Sequence, residues 1–218
     1  MIKTSKHTSN IKKKESLIDD NVSKQISPAQ KINCVVIASS TGGPKALSQI
    51  CSLLPAAFPV PILLVQHNTS GSEKSFVQLL DGFSKLKVLL AKDGTYPEKG
   101  YLYVAPTDKH LLIGADGFSF DDGKPIFNQK PSADILFKSA ARHYGCSLIS
   151  VVLTGMGIDG AQGTIDVKKA GGITIAQDES SSMIYGMPDA AFKTGCVDIV
   201  LSLNEISIRL IELTGGVK

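Results

Sequence analysis

Three reactive side chains each stand where an apolar, strand-like run gives way to a loop. They are Ser40 in Ser39-Ser40-Thr41-Gly42-Gly43, His67 in Gln66-His67-Asn68, and Asp159 in Gly155-Met156-Gly157-Ile158-Asp159-Gly160. A hydroxyl, an imidazole and a carboxylate are the parts of an acyl-transfer hydrolase. The hydroxyl attacks, the imidazole takes its proton and returns it to the leaving group, and the carboxylate holds the other ring nitrogen and stabilises imidazolium. Backbone N–H groups complete such a site, because the tetrahedral intermediate carries an oxyanion. The candidate donors are the amides of Thr41, which precedes two glycines and a proline suited to a first helical turn, and of Met156, which lies between two glycines.

Each residue alone also has a structural reading. A serine in a Ser-Thr-Gly-Gly turn can be a turn residue or helix cap, a histidine ending a strand can be a satisfied structural group, and Asp159 can cap a helix beginning at Ala161. His110 and His143 read as structural, and no His/Cys/Asp/Glu group has zinc-ligand spacing, so neither metal nor cofactor is expected. A rival reading uses the same turn. Gly155-x-Gly157-x-x-Gly160 follows a strand, opens a helix and precedes Asp178 and Glu179 by about 20 residues, which is a dinucleotide-binding arrangement. Against it, Asp159 sets a carboxylate where a pyrophosphate must approach the helix N-terminus, and little chain remains to build the rest of such a site.

The elements that must position these groups alternate. Ile32 to Ala38 is an apolar, β-branched run followed by a helical segment opening at Pro44, and Pro61 to Gln66 repeats the strand pattern. Phe76, Leu79, Leu80 and Phe83 then recur at helical spacing. Lys87 to Ala91, Tyr101 to Ala105 and His110 to Gly114 are short strand candidates whose turn signals suggest an antiparallel insertion. A helix marked by Ala133, Leu136, Phe137, Ala140 and Ala141, a strand over 147–154 and a helix over 161–170 follow. Gly172 to Ala176, Met187 to Thr194, Val197 to Leu201 and Glu205 to Leu213 continue the alternation. The pattern predicts an α/β fold: a doubly wound, mostly parallel sheet with helices on both faces and a small antiparallel insertion. Ser40 and His67 lie about one βαβ crossover apart, so both should emerge at the carboxyl rim of neighbouring strands, with Asp159 after a later strand at the same rim.

A chain of 218 residues with 43% hydrophobic content suits one catalytic domain, read here as residues 32–218. Residues 1–31 carry seven lysines against three acids, a net +4 in a chain of net +3, and read as a flexible basic tail. The Lys12-Lys13-Lys14 run could meet nucleic acid or a membrane surface, but a solvated tail explains it, and no nucleic-acid partner is expected. The start has no apolar signal region, and no run approaches the roughly 18 apolar residues of a membrane span. Three of the cysteines Cys34, Cys51, Cys146 and Cys196 sit beside apolar residues and none forms a Cys-x-x-Cys pair, which suggests buried thiols in a reducing cytoplasm.

Taken in series, Ser39-Ser40-Thr41-Gly42-Gly43-Pro44, Val65-Gln66-His67, Tyr101-Leu-Tyr-Val-Ala-Pro106 with His110, and Pro131-Ser132-Ala133-Asp134-Ile135-Leu136-Phe137 form the first half of a recognisable pattern. Val152 through Ala161, Ala176-Gln-Asp-Glu179 and Tyr185-Gly-Met-Pro188 complete it. The set resembles the catalytic domain of CheB chemotaxis methylesterases over residues 33–201. The resemblance implies hydrolysis of γ-glutamyl methyl esters on chemoreceptor signalling helices to glutamate and methanol, with glutamine deamidation in some members. It places the nucleophile on Ser40, the base on His67, the orienting acid on Asp159 and an oxyanion donor on the Met156 amide. Where the family usually has Gly-Ala before the nucleophile this chain has Ala38-Ser39, which makes Ser39 a competitor for the role, although register with Thr41-Gly42-Gly43 favours Ser40. The polar Asn68-Thr69-Ser70-Gly71 replaces a Met- and Pro-containing loop and bears on substrate docking. Many relatives carry an N-terminal receiver domain, for which 31 residues are too few. A catalytically idle module that only binds a receptor is the remaining alternative.

Overall fold

The computed structural model describes residues 30–216, so the expected tail lies, but for its last two residues, outside the described residues. The compact unit begins at Lys31. Its chain runs β1 (Cys34–Ser39), α1 (Gly43–Leu53), β2 (Ile62–Gln66), α2 (Glu73–Phe83), β3 (Lys87–Leu90), β4 (Tyr101–Val104), β5 (His110–Gly114), β6 (Gly117–Asp121) and α3 (Ala133–Tyr144). A 3-10 turn at Gly145–Ser147 leads to β7 (Leu148–Val152), α4 (Ala161–Lys169), β8 (Ile173–Gln177), α5 (Met187–Lys193), β9 (Ile199–Leu201) and α6 (Leu203–Thr214).

Seven strands pair in the order β3-β4-β2-β1-β7-β8-β9, every ladder parallel. The central strands β1, β2, β7 and β8 are buried along their whole length, which is why they read as continuous apolar runs. Alternate residues serve the two faces. Val36, Ala38, Leu63, Val65 and Val152 pack into one cluster with Phe137, Val167, Met187 and the hairpin residues Leu111, Ile113 and Phe118. That cluster covers the face under α3, α4 and α5, while α2 and α6 each pack on α1 at the opposite face.

The antiparallel insertion is the β5–β6 hairpin, whereas β3 and β4 join the parallel sheet. The run Gly117–Asp121, not read as a strand from the sequence, supplies the hairpin's second arm. Cys34 and Cys51 are buried, and burial pushes both thiols up, away from the reactive thiolate. Cys146 is exposed and Cys196 half-buried, so the expectation of buried thiols holds for Cys34 and Cys51 and not for the other two. Among the described residues no helix is long and apolar enough to cross a membrane.

The chain leaves β1 toward β2 on one side and returns to place β7 on the other. At such a reversal the two loops diverge to opposite faces and leave a cleft at the carboxyl rim. The loops that diverge here carry Ser40 and Asp159.

Candidate active site

Ser40 and His67 each stand one residue past a ladder pair, Ser39 opposite Gln66. The His67 amide donates to the Ser39 carbonyl at 3.0 Å, and the Ser40 amide reaches across β1's other neighbour to the Thr154 carbonyl at 3.1 Å. The three loop ends are thus stitched together by sheet-like bonds beyond the last regular pairs. Gln66 tightens the same seam. Its Nε2 donates to the Ser40 carbonyl at 3.0 Å and to the His67 carbonyl at 2.9 Å, and its Oε1 accepts the Ser39 hydroxyl at 2.7 Å. Ser39 is fully buried in that bond, which removes it as a competing nucleophile, while Ser40 is partly exposed. A Cβ at Gly43 would lie 2.0 Å from Gln66 Oε1, so only glycine lets α1 begin this close to the amide.

The His67 ring, 5% exposed, donates from Nε2 to Asp159 Oδ2 at 2.7 Å. The ring's Nδ1 is buried and has no hydrogen-bond partner among the described residues, so no bond joins it to the Ser40 hydroxyl in this state. Asp159 is 2% exposed and fully engaged. Its Oδ2 also accepts the Ala133 amide at 2.7 Å, and its Oδ1 accepts the Ser132 hydroxyl at 2.7 Å and the Asp134 amide at 3.0 Å. Burial works against its charge, but the His67 bond and these three donors outweigh it and hold the carboxyl below the ordinary carboxylate value. An ionised Asp159 accepting from Nε2 fixes the tautomer: the proton is on Nε2 and the lone pair on Nδ1.

Asp159 therefore does not cap its own helix; the N-cap of α4 is Gly160, and Asp159 instead caps α3 from across the rim. Ser132 is in turn held by His110, whose Nδ1 accepts the Ser132 amide at 3.1 Å and whose Nε2 donates to the Lys124 carbonyl at 3.1 Å. These bonds make His110 a neutral, fully buried support, as its structural reading expected.

The amides of Thr41 and Met156 donate to no other group of the described residues. Thr41 is exposed and Met156 is 74% exposed, so both border the open side of the cleft. Thr154 ties this side together: its hydroxyl donates to the Thr41 carbonyl at 3.0 Å and accepts the Ile184 amide at 3.0 Å. Its own amide donates to Gln177 Oε1 at 2.8 Å. Gly155 packs directly behind the nucleophile, where a Cβ would lie 2.8 Å from that of Ser40 and 2.3 Å from Met187 Sδ.

The rival use of Gly155, Gly157 and Gly160 fails on occupancy by the protein itself. The amides of Gly160 and Gly163, which a pyrophosphate at the α4 N-terminus would need, are bound by Asp134 Oδ1 at 2.9 and 2.7 Å. Gln66, Ser132, Asp134 and Thr154 were not singled out for roles by residue type. Each stands inside a stretch that carries the family resemblance, but apart from that its only signal is polarity inside or beside an apolar run.

A family model described as CheB methylesterase matches residues 35–210. Among curated relatives, a protein-glutamate methylesterase/protein-glutamine glutaminase from Pyrococcus abyssi is 44% identical over 194 residues, covering 84% of this chain and 51% of the relative. One of the same name from Clostridium acetobutylicum is 39% identical, covering 87% and 55%. The chain thus spans about half the length of these relatives. Among solved structures, the Thermotoga maritima CheB methylesterase catalytic domain superposes with a TM-score of 0.82 at 41% identity, covering 84% of this chain and 99% of that one.

Proposed function

The chain belongs to the CheB methylesterase family, and we propose that residues 32–218 hydrolyse γ-glutamyl methyl esters on chemoreceptor signalling helices through Ser40, His67 and Asp159. The relatives' names add glutamine deamidation as a parallel reaction, with ammonia leaving in place of methanol. The observation that carries the reading is the buried His67–Asp159 bond of 2.7 Å, with the ring's Nδ1 left without a partner among the described residues, just past the end of the strand paired with the one that leads to Ser40.

In this scheme Ser40 Oγ attacks the ester carbonyl carbon as its proton passes to His67 Nδ1, and Asp159 holds the imidazolium that results. The oxyanion is met by the Thr41 and Met156 amides. Collapse breaks the bond to the methoxy oxygen, which takes the proton from Nδ1 and leaves as methanol. Water then attacks the glutamyl-serine ester, giving its proton to Nδ1, and release of glutamate returns the proton to Ser40 Oγ. No step calls for a cofactor. The substrate is a side chain on another protein's helix, which suits a rim cleft whose nucleophile is partly exposed. The site of action is taken as the cytoplasm, where the thiols of Cys34 and Cys51 stay reduced.

The test is methanol release from methylated receptor membranes, with wild type beside Ser40→Ala. The expected result is release by wild type and loss of at least about a thousandfold in a folded variant. Full activity of folded Ser40→Ala moves the nucleophile elsewhere. Binding of receptor without any release by wild type favours the idle module.

A further inference from the structure

Two helix beginnings exchange carboxylates. Asp159, from the turn before α4, is bound at the start of α3 by the Ser132 hydroxyl and the Ala133 and Asp134 amides. Asp134, from the first turn of α3, is bound at the start of α4, its Oδ1 accepting the amides of Gly160 at 2.9 Å and Gly163 at 2.7 Å. Each anion sits at the positive end of the other's helix. Gly160, with φ of 98°, is the residue next to Asp159, so the bond to its amide fixes the peptide that aims the Asp159 side chain.

Capping alone leaves one feature unexplained. Asp134 is 8% exposed, and its second oxygen, Oδ2, is buried with no partner among the described residues. An amide side chain would accept the same two N–H bonds without placing a like charge beside Asp159. The carboxylate instead sets a second negative charge behind the Asp159–His67 pair, where it favours the imidazolium formed when Ser40 gives up its proton.

We propose that Asp134 is a positioning residue for this pair: it pins the Gly160 turn so that Asp159 meets His67, and its charge supports the protonated ring during turnover. The inference rests on the esterase reading of the site. Burial pushes the Asp134 carboxyl up to about 6, against the pull of the Gly163 and Gly160 amides and with Asp159 and Asp166 adding like charge. Also titratable nearby are His67 across Asp159, and His110 on β5, which its bonds hold neutral; on α4, which packs on α3, Lys168 and Lys169 lie in the last turn, away from the Gly160 end. The strands β1 and β7 offer only Cys34, held protonated by burial, besides apolar and hydroxyl side chains. Within α3, the ionisable Lys138, Arg142, His143 and Tyr144 all lie beyond its first turn. The charge is therefore present at pH 7.5 and lost as the pH falls through about 6.

The test compares wild type, Asp134→Asn and Asp134→Ala by methanol release and by ¹⁵N NMR of the His67 ring. Asp134→Asn, which keeps an acceptor, should lower kcat about tenfold at pH 7.5 with KM within about twofold, and should lose a wild-type step in the kcat profile near pH 6. Asp134→Ala should lower kcat about a hundredfold and shift the ring away from its single Nε2–H tautomer. Wild-type kcat, an unchanged acid limb and unchanged ring signals in Asp134→Asn overturn the proposal. Should neither variant fold, titration of wild type decides. Ring signals that move in step with the Asp134 carboxyl support it, and ring signals indifferent to that carboxyl sink it. Absence of methanol release by wild type would defeat the esterase reading while leaving the ring titration to decide this one.

Discussion

The cleft has two unlike halves. On one side His67, Asp159, Ser132, Asp134 and His110 are buried or nearly so, and one connected set of hydrogen bonds runs through them. On the other, Thr41, Met156, Ile158, Met183 and Ile184 are exposed, and the Thr41 and Met156 amides are uncommitted. Under the proposed esterase function, the difference follows from what each half handles. A proton must move along a fixed, dry line, because a charge shared between imidazole and carboxylate is stabilised most where water does not compete. The proposed substrate is an ester on another chain, so the half proposed to receive its carbonyl stays open.

The sharpest way to break the closed half is Asp159→Asn. Both oxygens of Asp159 accept two bonds each, from His67 and Ala133 and from Ser132 and Asp134. An asparagine must turn its NH₂ toward one pair, setting a donor against a backbone amide. If that pair is His67 and Ala133, the ring must also shed its Nε2 proton and take one on Nδ1, which destroys the base. The expected outcome is a fall in kcat of roughly 10³ to 10⁴, by analogy with the same change in a serine protease triad. The unpaired amide should cost about 1–3 kcal/mol in urea unfolding. An active, equally stable variant would show that the closed half does not need its charge.

Next in size is the seam between the halves. Gly43→Ala drives a Cβ into Gln66 Oε1, displacing the amide that bridges the Ser40 and His67 carbonyls. Overpacking of this kind costs about 1–3 kcal/mol. With nucleophile and base no longer held in register, kcat should fall about a hundredfold. Circular dichroism and methanol release separate the two effects. Gln66→Ala in the Gly43→Ala background should recover stability but not kcat, and if stability stays low the clash is not what matters.

The two halves were also unequally legible in the sequence. The alternation of apolar runs and helical stripes placed the strands and helices because each parallel strand is buried on both faces and each helix on one. Strand ends then put Ser40, His67 and the Asp159 loop at one rim. The hairpin's second arm, Gly117–Asp121, was missed although Phe118 and Phe120 alternate with polar Ser119, because its partner strand packs against α3 and not in the main sheet. The exchange of Asp134 and Asp159 was illegible for a different reason. The partners lie 25 to 29 residues apart, and only packing of α3 on α4 brings the two helix starts within bonding reach. Asp159 looked like a cap and is one, but of the wrong helix for any local rule to find.

The smallest effect should come from the open half, and it tests whether that side contributes binding without chemistry. Met183 is 61% exposed, and its Cβ lies 2.7 Å from where a side chain on Gly42 would begin, so it stands beside the turn that follows Ser40. It makes no hydrogen bond that aims a catalytic group. An amphipathic helix presenting its ester to Ser40 would lay an apolar neighbour against this chain and the adjacent Ile184. Met183→Ser removes apolar contact of roughly one side chain, worth about 1 kcal/mol when partly covered. KM for methylated receptor should rise about threefold to fivefold while kcat stays within about twofold, the signature of binding shared equally by ground and transition states. Hydrolysis of a small soluble ester, which has no helix to dock, should be unaffected. A fall in kcat with both substrates would mean that Met183 shapes the oxyanion side of the cleft, and the division between a closed chemical half and an open binding half would fail there.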